Sequence, residues 1–145
     1  MNGRSAGRYN ETVEDHFLRP RNVGPMDDAT AVGDVTNPVC GDRLRLYLRI
    51  LDGQVREARF EAQGCPAAIA ASSITTVLLQ GMTVEEARSL TDHDVEAALG
   101  GLPRGKRHCS VLAEEAISAA LDCLVKEDPG AIQAVYPGTG KPPDS

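Results

Sequence analysis

The nine residues RLRLYLRIL, Arg43 to Leu51, constrain the fold more than any other stretch of the chain. Leu44, Leu46, Leu48 and Ile50 alternate with Arg43, Arg45, Tyr47 and Arg49. That period of two belongs to a strand with one buried and one solvated face; wound as a helix, it would scatter both sets around the axis. Asp52-Gly53 follows at once, a two-residue turn that tolerates positive φ. REARFEAQ then repeats the alternation, with Ala58, Phe60 and Ala62 set against Glu57, Arg59 and Glu61. The two runs read as an antiparallel hairpin whose leucine face needs a cover. Upstream, ATAVGDVTN is a weaker strand candidate.

The cover comes from helices. Asn10 caps a short one through Leu18, with Val13, Phe17 and Leu18 as its apolar face and Arg19-Pro20 as its stop. At Pro66 the period changes: Pro suits a first helical position, Ile69, Ile74, Val77 and Leu78 follow, and Gly81 ends the run. Thr83 caps a short helix containing Val84, Glu85, Glu86 and Leu90, and Asp92 or His93 to Leu99 makes another. The last runs from about His108 to Lys126, before Asp128-Pro129-Gly130. Strands precede most of the helices, so the class is α+β, helices packed on one face of a small antiparallel sheet. The small polar residues 1–8 and the Pro- and Gly-rich residues 137–145 are expected to be mobile tails, which leaves residues 9–136 as one domain.

Composition removes several function classes. With 21 acidic against 15 basic side chains, a net charge of -6 and no Trp, the chain is poorly suited to nucleic acid. The longest weakly polar run, Pro66 to Leu79, is too short for a bilayer and is interrupted by Ser and Thr, so no membrane segment is expected. Four cysteines lie far apart and no basic-then-apolar leader is visible, which points to reduced thiols in the cytoplasm. Neither a Gly-rich phosphate loop nor a nucleophile elbow is present, so the chemistry falls to the cysteines.

Three of those cysteines sit at element boundaries. Cys40 lies in the turn NPVCGD ahead of the strong strand, where Asp42 can join it on one ion. Cys65, between Gly64 and Pro66, takes the N-cap of a helix, and Cys109 opens the last helix beside His108. A helix N-terminus carries about half a positive charge, so both thiols are expected to ionise more easily than usual. Cys123 is fourteen residues further along that last helix, about 21 Å from Cys109 at 1.5 Å per residue, and reads as core. Any one of these thiols is explained by burial alone; three at boundaries, each beside Gly, Pro or His, call for a site. Tetrahedral Zn²⁺ on Cys40, Cys65, Cys109 and either Asp42 or His108 satisfies the pattern. So does a sulfurtransferase or thiol hydrolase with Cys109 as nucleophile and His108 as base, although helix neighbours point about 100° apart, which counts against a hydrogen-bonded dyad.

EDHFLRPRNVG, NPVCGD, GCPAAIAASS and LPRGKRHCSVLAEEAI, in that order, resemble the IscU/NifU family of iron–sulfur cluster assembly scaffolds over most of residues 9 to 126. The resemblance implies a three-stranded antiparallel sheet with flanking helices. It also implies a labile cluster site from Cys40, Cys65 and Cys109, with Asp42 and His108 as adjoining ligands. The implied role is that of a carrier rather than an enzyme. A cysteine desulfurase supplies persulfide sulfur, iron and electrons complete a [2Fe-2S] cluster, and recipient apo-proteins take it away. Zinc is a further occupant of such a site in the isolated protein, and a zinc-binding sulfur acceptor is the alternative reading. A dedicated Hsp70-type chaperone is another implied partner, but LPRGK at Leu102 to Lys106 departs from the LPPVK pattern that it recognises. Pro66 also stands where better-known members have a small residue. His108 and the absence of an insertion before Cys109 separate the chain from the zinc-using SufU relatives, and the stand-alone scaffold form is expected. Arg104, Lys106, Arg107 and the strand arginines are candidates for a partner-docking face, though a solvated strand face is the commoner explanation.

Overall fold

A computed structural model describes residues 9–38 and 41–126. Its elements are α1 (Glu11–Leu18), β1 (Ala31–Thr36), β2 (Arg43–Leu51), β3 (Gln54–Gln63), α2 (Pro66–Leu79), α3 (Val84–Arg88), α4 (Asp92–Ala98), a 3-10 turn (Arg104–Lys106) and α5 (His108–Lys126). Cys40 and both expected tails lie outside the described residues. Among the described residues no helix is long and apolar enough to cross a membrane.

The hairpin forms as its alternation requires. β2 and β3 pair antiparallel, with Leu46 opposite Phe60 and Leu48 opposite Ala58, and β1 adds to the other edge of β2. Asp52 and Gly53 both take positive φ, 54° and 75°, the backbone a twisted two-residue turn needs. The register shifts between Arg49 and Ile50, so Ile50 is only half-buried while Val55 opposite it is fully enclosed. Strand β3 starts at Gln54, two residues earlier than its alternation suggests.

The outer face of the sheet departs from a plain solvated surface, because Tyr47 is buried there. Its hydroxyl donates to Glu61 Oε1 at 2.6 Å. Around it Arg43 grips both oxygens of Asp34, Arg45 reaches the same carboxylate at 3.0 Å, and Arg59 pairs with Glu57 at 2.7 Å. Long arginine stems cover apolar surface while their heads stay wet, which is how a tyrosine disappears on a charged face.

Helices α2 and α5 cover the leucine face. Gly33 weakens β1 as a strand by propensity, yet a Cβ there would lie 2.7 Å from the backbone nitrogen of Ala120. The backbone of α5 therefore rests directly on β1, and Ala113, Ala116 and Ala120 are all fully buried. Helix α2 is enclosed differently from the expected stripe: Ile74 is buried, Ile69 and Leu78 are half-buried, and Val77 is 42% exposed. Its contact surface is instead made of Ala67, Ala68, Ala70, Ala71 and the hydroxyl residues Ser72, Ser73, Thr75 and Thr76. Small side chains let neighbours approach on several sides, and the buried hydroxyls are satisfied locally. Ser72 donates to the Ala68 carbonyl at 2.8 Å, Thr75 to Ala71 at 2.6 Å and Thr76 to Ser73 at 2.7 Å.

Ser73 works across elements. Its oxygen accepts the Arg21 N–H at 2.9 Å and lies 2.7 Å from His16 Nδ1, which fastens α1 and the turn after it to α2. Of the apolar face expected for α1, only Val13 is buried; Phe17 and Leu18 are 38% and 64% exposed, and His16 occupies the interface. Leu90 is buried just past the end of α3, and Cys123 is half-buried rather than in the core.

Burial, reinforced by the Arg21 charge, holds the His16 imidazole below its ordinary pKa. The unfolded chain thus takes up this proton more readily than the fold. The stability that neutral His16 contributes is present above the unfolded value of about 6.5 and is lost as pH falls from there through the folded pKa. Urea unfolding between pH 7.5 and 5 should show the wild type losing stability more steeply than His16→Gln. Parallel curves would mean that His16 does not titrate with folding.

Candidate metal centre

The site lies at the end of the hairpin opposite its turn. Antiparallel register pairs Arg43 with Gln63, so the residue before β2 and the residues after β3 emerge side by side. Asp42 comes from the first of these positions, Gly64 and Cys65 from the second. Backbone bonds fix the approach to β2: Asn37 N–H donates to the Asp42 carbonyl and Gly41 N–H to the Asn37 carbonyl, both at 2.8 Å. Gly41 adopts φ +80°, the left-handed region that favours glycine.

Cys65 is the N-cap of α2, its side chain making no capping bond, with Pro66 at the first helical position as expected. His108 and Cys109 are the first two residues of α5. The Sγ atoms of Cys65 and Cys109 are 3.8 Å apart. Asp42 Oδ2 lies 3.9 Å from Cys109 Sγ and 3.7 Å from His108 Nε2, which is itself 3.7 Å from Cys109 Sγ. Donor atoms of Asp42, His108 and Cys109 all fall within 4.8 Å of one another. Thiolates bound to one tetrahedral metal at about 2.3 Å stand about 3.8 Å apart, so the two sulfurs already have the spacing of a shared ion. The structure thus brings together Asp42, Cys65, His108 and Cys109; Cys40, the fifth expected ligand, is outside the described residues.

Two expectations are corrected here. The Cys109 thiol is not eased toward ionisation by the start of α5. Only 1% exposed, it is pushed well above the usual thiol range by burial first, then by charge on Cys65 and Asp42, with Lys106 opposing. Loss of water around a buried anion outweighs half a unit charge of helix dipole. Nor does helical geometry keep His108 away from Cys109. Nε2 is the far atom of a long side chain, and it comes within 3.7 Å of Cys109 Sγ although adjacent helical positions point about 100° apart.

Lys106, in the 3-10 turn, completes the electrostatics. Its ammonium is held above the usual lysine pKa by negative charge at Cys65 first, then at Tyr9, and more weakly at Cys109. Gly64 is the positioning residue that sequence reading missed. A Cβ there would sit 2.7 Å from Asp42 Oδ1 and 2.8 Å from its Cγ, so only a glycine lets the carboxylate fold in over this turn. Glycine directly before Cys65 was visible; its partner, a carboxylate across the hairpin, was not.

The profile described as "NifU-like N terminal domain" matches residues 8–127. The chain belongs to the NifU-like N-terminal family. Among relatives of this NifU-like domain, the iron–sulfur cluster assembly scaffold protein IscU 1 of Archaeoglobus fulgidus is 48% identical over 113 residues, covering 78% of this chain and 74% of that protein. IscU of Escherichia coli K12, another scaffold protein, is 42% identical over 117 residues, with 78% and 91% covered. Solved structures share the fold at lower identity. The Fervidobacterium islandicum protein described as a scaffold for the SUF system superposes with a TM-score of 0.65 at 22% identity, covering 78% of this chain and 96% of that one. The N-terminal part of a NifU-like protein from Brucella abortus gives 0.60 at 20%, with 82% and 95% covered.

Because burial keeps Cys109 protonated, this NifU-like domain should resist alkylation there when metal-free. Peptide mass spectrometry after brief iodoacetamide treatment at pH 7.5 should show Cys109 modified at least about tenfold more slowly in the folded protein than in urea. Equal rates in both conditions would contradict the burial.

Proposed function

We propose that this chain is a scaffold on which a labile [2Fe-2S] cluster is assembled from iron and desulfurase-derived sulfur, then passed to recipient apo-proteins. The observation that carries this reading is the convergence of Asp42, Cys65, His108 and Cys109 from three chain segments, in a chain related to IscU proteins over most of its length. Cys40, Cys65 and Cys109 supply thiolates. Either Asp42 or His108 supplies the fourth ligand, and their 3.7 Å separation lets one replace the other with little movement.

Lability follows from that ligand set. Iron–sulfur clusters are held most firmly by four thiolates, and here the fourth position falls to a hard carboxylate or an imidazole. Lys106, beside Cys65, offers a counter-charge to whichever acidic group is released. The same donors suit zinc, so zinc can occupy the isolated protein without being its cargo. The chain acts as a carrier and not as an enzyme, and works in the cytoplasm. Its partners are a cysteine desulfurase and recipient proteins, with no nucleic acid or membrane; the LPRGK loop argues against reliance on a chaperone that reads LPPVK.

Reconstitution of the reduced apo-protein with iron and sulfide should give the visible charge-transfer bands and Mössbauer signature of a [2Fe-2S] centre. A protein that takes up only zinc and stays colourless would sink the scaffold reading in favour of the zinc-binding sulfur acceptor. Cys40→Ser, Cys65→Ser and Cys109→Ser should each abolish a stable cluster, and Cys123→Ser should not. In Asp42→Ala the softer His108 ligand takes over, so the cluster should form, persist longer and pass several-fold more slowly to an apo-ferredoxin, followed by circular dichroism. Transfer at the parent rate would show that Asp42 does not set lability.

A further inference from the structure

The two sulfurs 3.8 Å apart differ in a way that metal ligation does not require. Cys65 is half-buried, at the N-cap of α2 where the chain turns at the surface, and Lys106 adjoins it. Cys109 is 1% exposed beneath it. One thiol is open to a small solute, while the other is all but closed to it and has the first thiol's sulfur beside it. Asp42 Oδ2 and His108 Nε2, at 3.9 and 3.7 Å from Cys109 Sγ, are at hand to receive its proton.

We propose that the empty site is also a peroxide-sensitive modification site, in which Cys65 is oxidised by a hydroperoxide and Cys109 resolves it to an intramolecular disulfide. The Cys65 sulfur attacks one oxygen of hydrogen peroxide; the S–O bond forms, the O–O bond breaks, and the departing hydroxide leaves as water with the Cys65 proton. Cys109 sulfur then attacks the Cys65 sulfenic acid. The S–S bond forms, the S–O bond breaks, and hydroxide takes up the Cys109 proton by way of Asp42 or His108. Two thiols lose two electrons, and one peroxide becomes two waters. A resolving thiol already at 3.8 Å intercepts the sulfenic acid before a second peroxide can carry it to the irreversible sulfinic state. A dithiol reductant reverses the bridge by exchange.

The bridge removes two metal donors at once and joins the N-termini of α2 and α5, elements already packed together, so the fold need not open to form it. A bound metal holds both sulfurs as ligands and blocks the reaction, so only the unloaded protein responds. This consequence rests on the cluster-site reading above; the oxidation chemistry does not.

The test uses the full chain, reduced and metal-free, exposed to stoichiometric hydrogen peroxide, quenched with N-ethylmaleimide and mapped by peptide mass spectrometry. The expected product is a Cys65–Cys109 disulfide, formed equally in Cys40→Ser, with Zn²⁺ uptake reduced at least tenfold and restored by dithiothreitol. Zn²⁺ added beforehand should slow the bridge at least tenfold. In Cys109→Ser, dimedone should trap Cys65 as sulfenic acid. Sulfinic acid on Cys65 with Cys109 still a thiol, a bridge from Cys65 to Cys40, or a bridge between two chains would each overturn the proposal. Failure of the reduced protein to hold an iron–sulfur cluster would overturn the scaffold reading instead and leave the disulfide result standing.

Discussion

Antiparallel pairing of Arg43 with Gln63 is the constraint on which the site depends. It sets the entry to β2 against the exit of β3, so that Asp42 and Gly64, far apart in sequence, touch through space. The register is held by the leucine face: slipping it by one residue would turn Leu44, Leu46 and Leu48 to solvent and drive arginines into the helices. Core packing and site geometry are therefore one decision. Helix α5 repeats the logic, since its backbone rests on Gly33 and that seat leaves His108 and Cys109 at the same end of the sheet.

Helix N-termini matter here for geometry more than for charge. Both Cys65 and Cys109 open helices, which aims them at one place. For Cys109 the favourable dipole is overruled by burial and by neighbouring negative charge. The two cysteines share a structural role and differ in access.

Much of this was legible in the sequence. The alternation of RLRLYLRIL, the Asp52-Gly53 turn, the Asn10 and Thr83 side chains capping helices, and Pro66 after an N-cap cysteine each encode a local rule, and the backbone obeys them. What could not be read depends on partners distant in sequence. Val77 looks like a core residue of α2, and it is exposed because the neighbours of α2 need small side chains on their sides of the helix. His16 looks like a surface residue until Ser73 is placed against it. Gly64 carries no hint that a carboxylate fills the space of its missing Cβ. The raised Cys109 pKa likewise depends on how deeply α5 seats, which no local pattern records.

A carrier must hold its cargo and then let it go, and the buried thiol bears on both. Any metal that binds Cys109 must first displace a proton held more tightly than on an ordinary thiol, so part of the metal–sulfur bond energy is spent on deprotonation. Once bound, the metal's own charge stabilises the thiolate in the place where water cannot. On the proposed ligand set, release of the cluster would leave a thiolate that this burial disfavours, and Asp42 Oδ2 and His108 Nε2 lie within 4 Å of its sulfur. An exposed thiolate would remain a strong ligand after release and compete with the recipient. A thiol that becomes neutral on emptying does not. On the proposed ligand set, the depth of Cys109 would weaken retention without removing a ligand, in the same direction as the carboxylate proposed at Asp42.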